Sequence, residues 1–273
     1  MPTGLTDKGF ARLRALVYAK SGIHLHEGKR ELVRSRLTAR LRAVGVETFE
    51  EYCDYLTVRD DGTELTNMLN AISTNKTSFF REKVHFDFLE NKVFSRFRGR
   101  EDQPVNLRLW SAGCSSGEEP YSLAISIQEY FRGFSRLKVQ ILATDISTQT
   151  LEQAEKGVYT AARIASLPVI LQRRYFEKGV GANAGLFRIK DSVKSLVTFK
   201  HQNLMERALF TQPFDAIFCR NVMIYFDKKT QESLINRFYS CLAPGGYLFI
   251  GHSESLAPVT HSFTYLEPSI YQK

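Results

Sequence analysis

Apolar residues between position 6 and about position 90 recur at three- and four-residue intervals, and nothing in that segment alternates as a strand would. Thr6 stands where an N-cap belongs, and Ser21-Gly22 and Gly45 mark turns, so the pattern predicts a small helical bundle. Within it GKRELVRSRLTARLRAVG (28–45) reads as a basic helix. Val33, Leu37, Leu41 and Val44 form one apolar stripe, with Lys29, Arg36 and Arg40 in a row along its side. After the polar stretch RGREDQPVN (98–106) the texture changes to alternating strand and helix: LRLWSAG, PYSLAISIQEYF, VQILATD, STQTLEQAEKG. The alternation resumes with VTFKHQN, DAIFCRNV, the helix TQESLINRFYSCL, an APGG turn, YLFIG and a pair of short aromatic strands in SFTYLEPSIYQK. Alternation of this kind predicts a parallel sheet flanked by helices.

One segment breaks the alternation. Between Gly157 and Val197, LPVILQRRYFEKG and VGANAGLFRIKDSVKSL read as a helix, a glycine-bracketed turn and short polar strands. An ordinary connection is far shorter, which leaves a decorative loop or lid on one hand and a separate docking subdomain on the other.

Composition narrows the class. A chain of 273 residues with 43% hydrophobic content can bury one large core, or a medium one with a smaller companion. The amino-terminal stretch has no uninterrupted apolar run, and DAIFCRNVMIYF is broken by Arg220 and too short to span a bilayer, so a cytoplasmic location is expected. Cys53, Cys114, Cys219 and Cys241 are scattered, without a CxxC pair, and suggest neither a zinc site nor a disulfide framework. A net charge of +8 favours an acidic partner, whether nucleic acid, membrane surface or protein.

The chemistry concentrates in three stretches. In LWSAGCSSGEEPYS, Gly113 and Gly117 are spaced GxxxG rather than GxGxxG, no GK[ST] follows, and Glu118 and Glu119 occupy the helix start that a phosphate would need. Asp145, closing the next strand, suits a ribose. Adenosine without phosphates fits both, and S-adenosylmethionine adds the positive charges that carboxylates attract. In STNKTSFFRE (73–82), Phe79 and Phe80 can anchor the chain while Arg81 offers a planar fork for a carboxylate, its plainer alternative being a pair with Glu82. DAIFCRNVMIYFD (215–227) delivers Arg220, Asn221 and Tyr225 to the ligand edge of the sheet. Val222 and Met223 stand where base-methylating enzymes carry prolines, and Cys219 reads as a small buried hydrophobe rather than a nucleophile.

STNKTSFFRE, SAGCSSGEEPYS, LATDIS, FDAIFCRNVMIYFD and APGGYLFIGHSES resemble, in order and spacing, the motifs of the CheR family of chemotaxis receptor glutamate O-methyltransferases, over nearly the whole chain. The resemblance implies an α/β fold: a Rossmann-like S-adenosylmethionine domain (86–273) with a small inserted antiparallel β-subdomain (158–196). An all-α domain (1–85) that contains the linker motif 73–82 precedes it. Carried over by position, cofactor contacts fall on Asn75, Thr77, Arg81, Glu119, Asp145, Asn203, Leu204, Arg220 and Asn221, and catalysis on Arg81 and Tyr225. Glu118 is left a structural part at the helix start. The implied cofactor is S-adenosylmethionine, giving S-adenosylhomocysteine, with no metal. The implied partner is the acidic cytoplasmic helical region of chemoreceptors, met by Arg36, Arg40 and Arg42, with a receptor carboxyl-terminal peptide as a second ligand at the β-subdomain. A monomer recruited to membrane receptor arrays, binding no nucleic acid, completes the expectation. The rival readings are a nucleic-acid methyltransferase and a non-catalytic S-adenosylmethionine-binding signalling module.

Overall fold

Helix α1 (Asp7–Ser21) starts where the Thr6 hydroxyl accepts the Gly9 N–H at 3.0 Å and stops where Gly22 turns left-handed. It packs with α2 (Arg30–Val44), α3 (Phe49–Asp54) and α4 (Thr63–Ile72). Thr48 and Glu51 cap α3 reciprocally. The stripe Val33, Leu37 and Leu41 is buried against Phe10, Leu13, Val17, Tyr52 and Met68, a core separate from that of the sheet. The computed structural model describes residues 4–99, 102–206 and 210–273; Arg100 and Glu101 of the polar stretch 98–106 lie outside the described residues.

Helical periodicity continues past the bundle, but the next helix has another partner. From α5 (Val84–Phe88) the chain winds through wider and then tighter turns to Phe97. Phe86, Phe88, Leu89, Val93 and Phe94 join Val105, Leu107 and Leu123 under the sheet. The linker carries the chain off the bundle before this helix begins, a change of partner that a helical period cannot report.

The α/β unit runs β1 (Val105–Ala112), α6 (Glu118–Tyr130), β2 (Leu137–Asp145) and α7 (Thr148–Lys156). The insertion follows: β3 (Val158–Thr160), α8 (Ala161–Ile164), α9 (Val169–Tyr175), β4 (Phe176–Lys178), β5 (Leu186–Ile189) and α10 (Asp191–Lys194). The chain returns through β6 (Val197–His201), β7 (Phe214–Cys219), α11 (Lys228–Cys241), β8 (Leu242–Ile250), β9 (Thr264–Glu267) and β10 (Ile270–Gln272). The large sheet has the order β6-β2-β1-β7-β8-β10-β9, parallel through β8, with β10 antiparallel to it. Since β1 pairs with β2 on one side and β7 on the other, a crevice opens past the carboxyl ends of these strands. The APGG segment, expected as a turn, lies inside β8. Gly245 takes φ 74° and the register against β7 shifts there. The chain's last residue holds the irregularity, with Gly245 N–H on Lys273 O at 3.1 Å and Lys273 N–H on Gly246 O at 2.9 Å.

The insertion forms its own antiparallel sheet, β3-β5-β4. It sits on the main body through Tyr159, Phe176 and Ile189, which share the sheet's core, and Phe79 of the linker packs edge-on against Tyr159 and Phe176 at 5.0 and 5.5 Å. Among the described residues no helix is long and apolar enough to cross a membrane.

Candidate active site

The turn after β1 explains its own glycines. Gly113 has φ 89° and a Cβ there would lie 2.4 Å from Val222 Cγ2; Gly117 has φ 93° and its Cβ would lie 2.9 Å from that of Ala154. Both positions demand the residue that has no Cβ. The N–H groups of Gly113 and Cys114 donate to Thr144 O at 2.8 and 2.9 Å, that of Gly117 to Cys114 O at 3.1 Å, and that of Ser115 to Asp145 Oδ2 at 2.8 Å. A pyrophosphate nest needs such donors free, and here they are spent.

Glu118 faces inward. It is fully buried, accepts the Ser116 hydroxyl at 2.8 Å and meets Arg163 of α8 at 3.2 Å, tying the insertion to the start of α6. Burial lifts its carboxyl above the ordinary range despite Arg163. Glu119, one residue on, points at the crevice. It accepts from Ser111 Oγ at 2.7 Å and from Arg220 Nη1 at 3.0 Å. Asp145 is also buried, receives the Ser115 and Ser147 N–H groups at 2.8 and 2.9 Å, and has its carboxyl raised by that burial.

Arg220, at the end of β7, is held on three sides by Glu119, by Glu82 at 3.1 Å and by the Arg81 carbonyl. Thus Glu82 belongs to Arg220 rather than to Arg81, whose Nε stands 4.0 Å from it. Arg81 instead donates to Lys76 O at 3.0 Å and faces the cavity. Asn221 takes the left-handed φ 59°. Its N–H and those of Ile224 and Gly251 all converge on the Glu254 carboxylate, at 2.9, 3.2 and 2.6 Å. Glu254 so shapes the loop that presents Asn221 and Tyr225. The Tyr225 carbonyl in turn accepts the His24 N–H at 2.7 Å, and Asn203 Nδ2 donates to Lys20 O at 2.6 Å, which fastens the helical bundle over the crevice.

A cavity of ≈ 310 Å³ results. It gathers Asn75, Thr77 and Arg81 from the linker, Glu119 and Asp145 from β1-α6 and β2, Asn203 and Leu204 after β6, and Arg220, Asn221 and Tyr225 after β7. The three arginines expected at a receptor lie elsewhere. Arg36 donates to the Ile72 and Ser73 carbonyls at 2.6 and 3.0 Å, capping α4, and Arg40 forks onto Glu64, itself buried and bonded by Tyr52 Oη at 2.6 Å. Arg42 is exposed. From sequence, Glu82 reads only as a pair for Arg81 and Glu254 has no role. Their only signal was position, inside STNKTSFFRE and GHSES.

Nearly the whole chain aligns with known proteins. Residues 75–271 match the family model described as CheR methyltransferase, SAM binding domain, and residues 8–73 match CheR methyltransferase, all-alpha domain. Chemotaxis protein methyltransferases of Borreliella burgdorferi and Klebsiella aerogenes are each 42% identical, over 98% of this chain and 95% and 90% of theirs. That of Salmonella typhimurium is 40% identical over 98% of this chain and 90% of its own. With the two family domains meeting at the linker whose side chains line the cavity, the chain belongs to the CheR family of S-adenosylmethionine-dependent methyltransferases.

Proposed function

We propose that the chain transfers the methyl group of S-adenosylmethionine to glutamate side chains of chemoreceptors, leaving glutamate methyl esters and S-adenosylhomocysteine. One observation carries this reading: the inner wall of the cavity holds the carboxylates of buried Asp145 and half-buried Glu119, its buried cation Arg220 being paired with Glu119 and Glu82, whereas the exposed rim is basic, at Lys29 and Lys76 with Arg81 between. Such a gradient suits a cationic donor inside and an anionic acceptor outside. The glycine turn supports the same donor, since its N–H groups are engaged and a carboxylate stands where phosphate would go. Asn75, Thr77, Arg81, Glu119, Asp145, Asn203, Leu204, Arg220 and Asn221 are the residues that would hold the cofactor. Bound there, it supplies an electrophilic methyl group on a sulfonium.

The protein's part is binding and alignment. A glutamate carboxylate is ionised at neutral pH, with an ordinary pKa of about 4.3, so the attack needs no general base. Arg81, with only one backbone bond, keeps donors of its planar fork for the acceptor carboxylate, and the Tyr225 phenol orients the reacting groups from the other wall. The domain division belongs to the same proposal: a helical domain 1–85 with its linker motif 73–82, and a methyltransferase domain 86–273 with the insertion 158–196. So do a monomeric state, recruitment from the cytoplasm to receptor arrays and a receptor carboxyl-terminal peptide at the insertion. On α2, Arg42 is the arginine left free of internal bonds for a receptor helix, while Arg36 and Arg40 shape the surface that carries it.

Methyl transfer from tritiated cofactor tests the reading, with chemoreceptor membranes and RNA offered side by side. Label is expected in receptor protein and is released by mild base, as an ester requires; Arg81→Ala and Tyr225→Phe each slow it. Label in RNA, or base-stable label in protein, refutes the proposal.

A further inference from the structure

On the far side of the Arg220 clamp from the cavity, three side chains meet, one of them the Glu82 that also holds Arg220. They are Glu82 of the linker, His85 of α5 and His252 after β8, each with one ligand-type atom within 4.8 Å of the others. His85 is wholly buried. Its Nε2 lies 2.7 Å from Ser269 Oγ, and that hydroxyl donates to the Pro268 carbonyl at 2.5 Å. A hydroxyl has one proton to give, so Ser269 must accept from Nε2–H. The tautomer is thereby fixed, and Nδ1 presents a bare lone pair.

That lone pair has no hydrogen-bond partner, and it is aimed at Glu82 Oε2, 3.7 Å away. Two acceptors facing each other in a buried place repel unless something electron-poor lies between them. The His252 ring stands across from His85, centroids 5.2 Å apart and nearly perpendicular.

We propose that Glu82, His85 and His252 form a Zn²⁺-binding site, with two imidazole nitrogens, one carboxylate oxygen and a fourth position for water. Ligand bonds of about 2.0–2.2 Å in a tetrahedron put ligand atoms roughly 3.4 Å apart, close to the separation of Nδ1 and Oε2. His252 is exposed, so its ring is free to swing in. Two imidazoles favour zinc over calcium or magnesium. The neighbouring cations do not forbid a third. Arg220 is shared between Glu82 and Glu119, so the three groups together carry one negative charge; its Nη2 and Nε lie 3.1 and 3.2 Å from the same Glu82 Oε2, so a metal there would share that oxygen with the guanidinium, while Arg81 stands 4.0 Å from Oε1. The site is independent of which acceptor the enzyme methylates.

The chelator-stripped chain, titrated calorimetrically with zinc sulfate, is expected to take up one Zn²⁺. His252→Ala, a change at an exposed position that leaves the core intact, should weaken uptake at least ~10-fold, as should Glu82→Gln. The cobalt-loaded protein should show visible d–d bands without a thiolate charge-transfer band. Any one of three results overturns the proposal. These are no uptake by the wild type, equal uptake by His252→Ala, or a thiolate band that assigns the metal to cysteine.

Discussion

Replacing Glu119 with Gln changes charge at nearly constant shape, and the surroundings say what should follow. The carboxylate uses one oxygen for the Ser111 hydroxyl at 2.7 Å and the other for Arg220 at 3.0 Å. Gln keeps a carbonyl for Arg220, and its amide can donate to a rotated Ser111 hydroxyl. Arg220 meanwhile retains Glu82 and the Arg81 carbonyl. The fold therefore loses only the difference between a charged and a neutral hydrogen bond, about 1 kcal/mol, or roughly 2–4 °C in melting temperature. A charge-assisted bond to the cofactor is worth about 1.5–3 kcal/mol, so affinity for S-adenosylhomocysteine should fall roughly 10- to 150-fold. Calorimetric titration of both proteins, with melting curves of each alone, separates the two quantities. Unchanged affinity would remove Glu119 from the cofactor site. A collapse in melting temperature would make it a folding residue instead.

Gly113→Ala should abolish cofactor binding in the same titration, because its Cβ would lie 2.4 Å from Val222 Cγ2, beside Asn221, and no rotation of that branched side chain relieves φ 89°. Phe79→Ala removes a buried ring packed on Tyr159 and Phe176 and should cost about 3–5 kcal/mol in urea denaturation. Glu118 has a folded-state carboxyl raised by burial, so its contribution to stability is greatest below the ordinary carboxyl range and is lost as pH rises through the raised value. The melting temperature of Glu118→Gln relative to wild type should accordingly climb between pH 4.5 and 7.5, and a flat or falling difference refutes the sign. Arg40→Glu opposes the buried Glu64 and should destabilise the bundle by about 3–5 kcal/mol, whereas Arg42→Glu should leave the melt unchanged and slow receptor methylation at low salt.

What the sequence made legible followed from periodicity and from turn chemistry. The turn glycines at 22 and 45, the cap at Thr6 and the alternation after residue 106 each act over a few residues, and each recurs in the structure. The fate of a long side chain does not act locally. Arg36 and Arg40 lie on the polar side of a clear stripe, yet both turn to partners in another helix, Glu64 and the last carbonyls of α4. Nothing within α2 encodes that. For the same reason Glu82 reads as the neighbour of Arg81 in sequence, while the left-handed backbone at Glu82 (φ 55°) sends it to Arg220. Glu254 was out of reach because its partners are backbone N–H groups, which every residue has.

The bundle is a wall of the active site and not an appendage to it. Ser21, His24 and Leu32 line the cavity, Ile23 bridges Phe226 as a strand would, and Tyr18 Oη donates to Asp227 at 2.8 Å. Gly22 allows this approach, since a Cβ there would lie 2.5 Å from Met205 Sδ. The loop after α1 thus fixes the Tyr225 carbonyl from one side while Glu254 fixes the preceding N–H groups from the other. Tyr225 is held between contacts from the helical bundle and from the sheet domain. A receptor helix seated on α2, as proposed, would bear on the same bundle and so couple docking to the alignment of Tyr225.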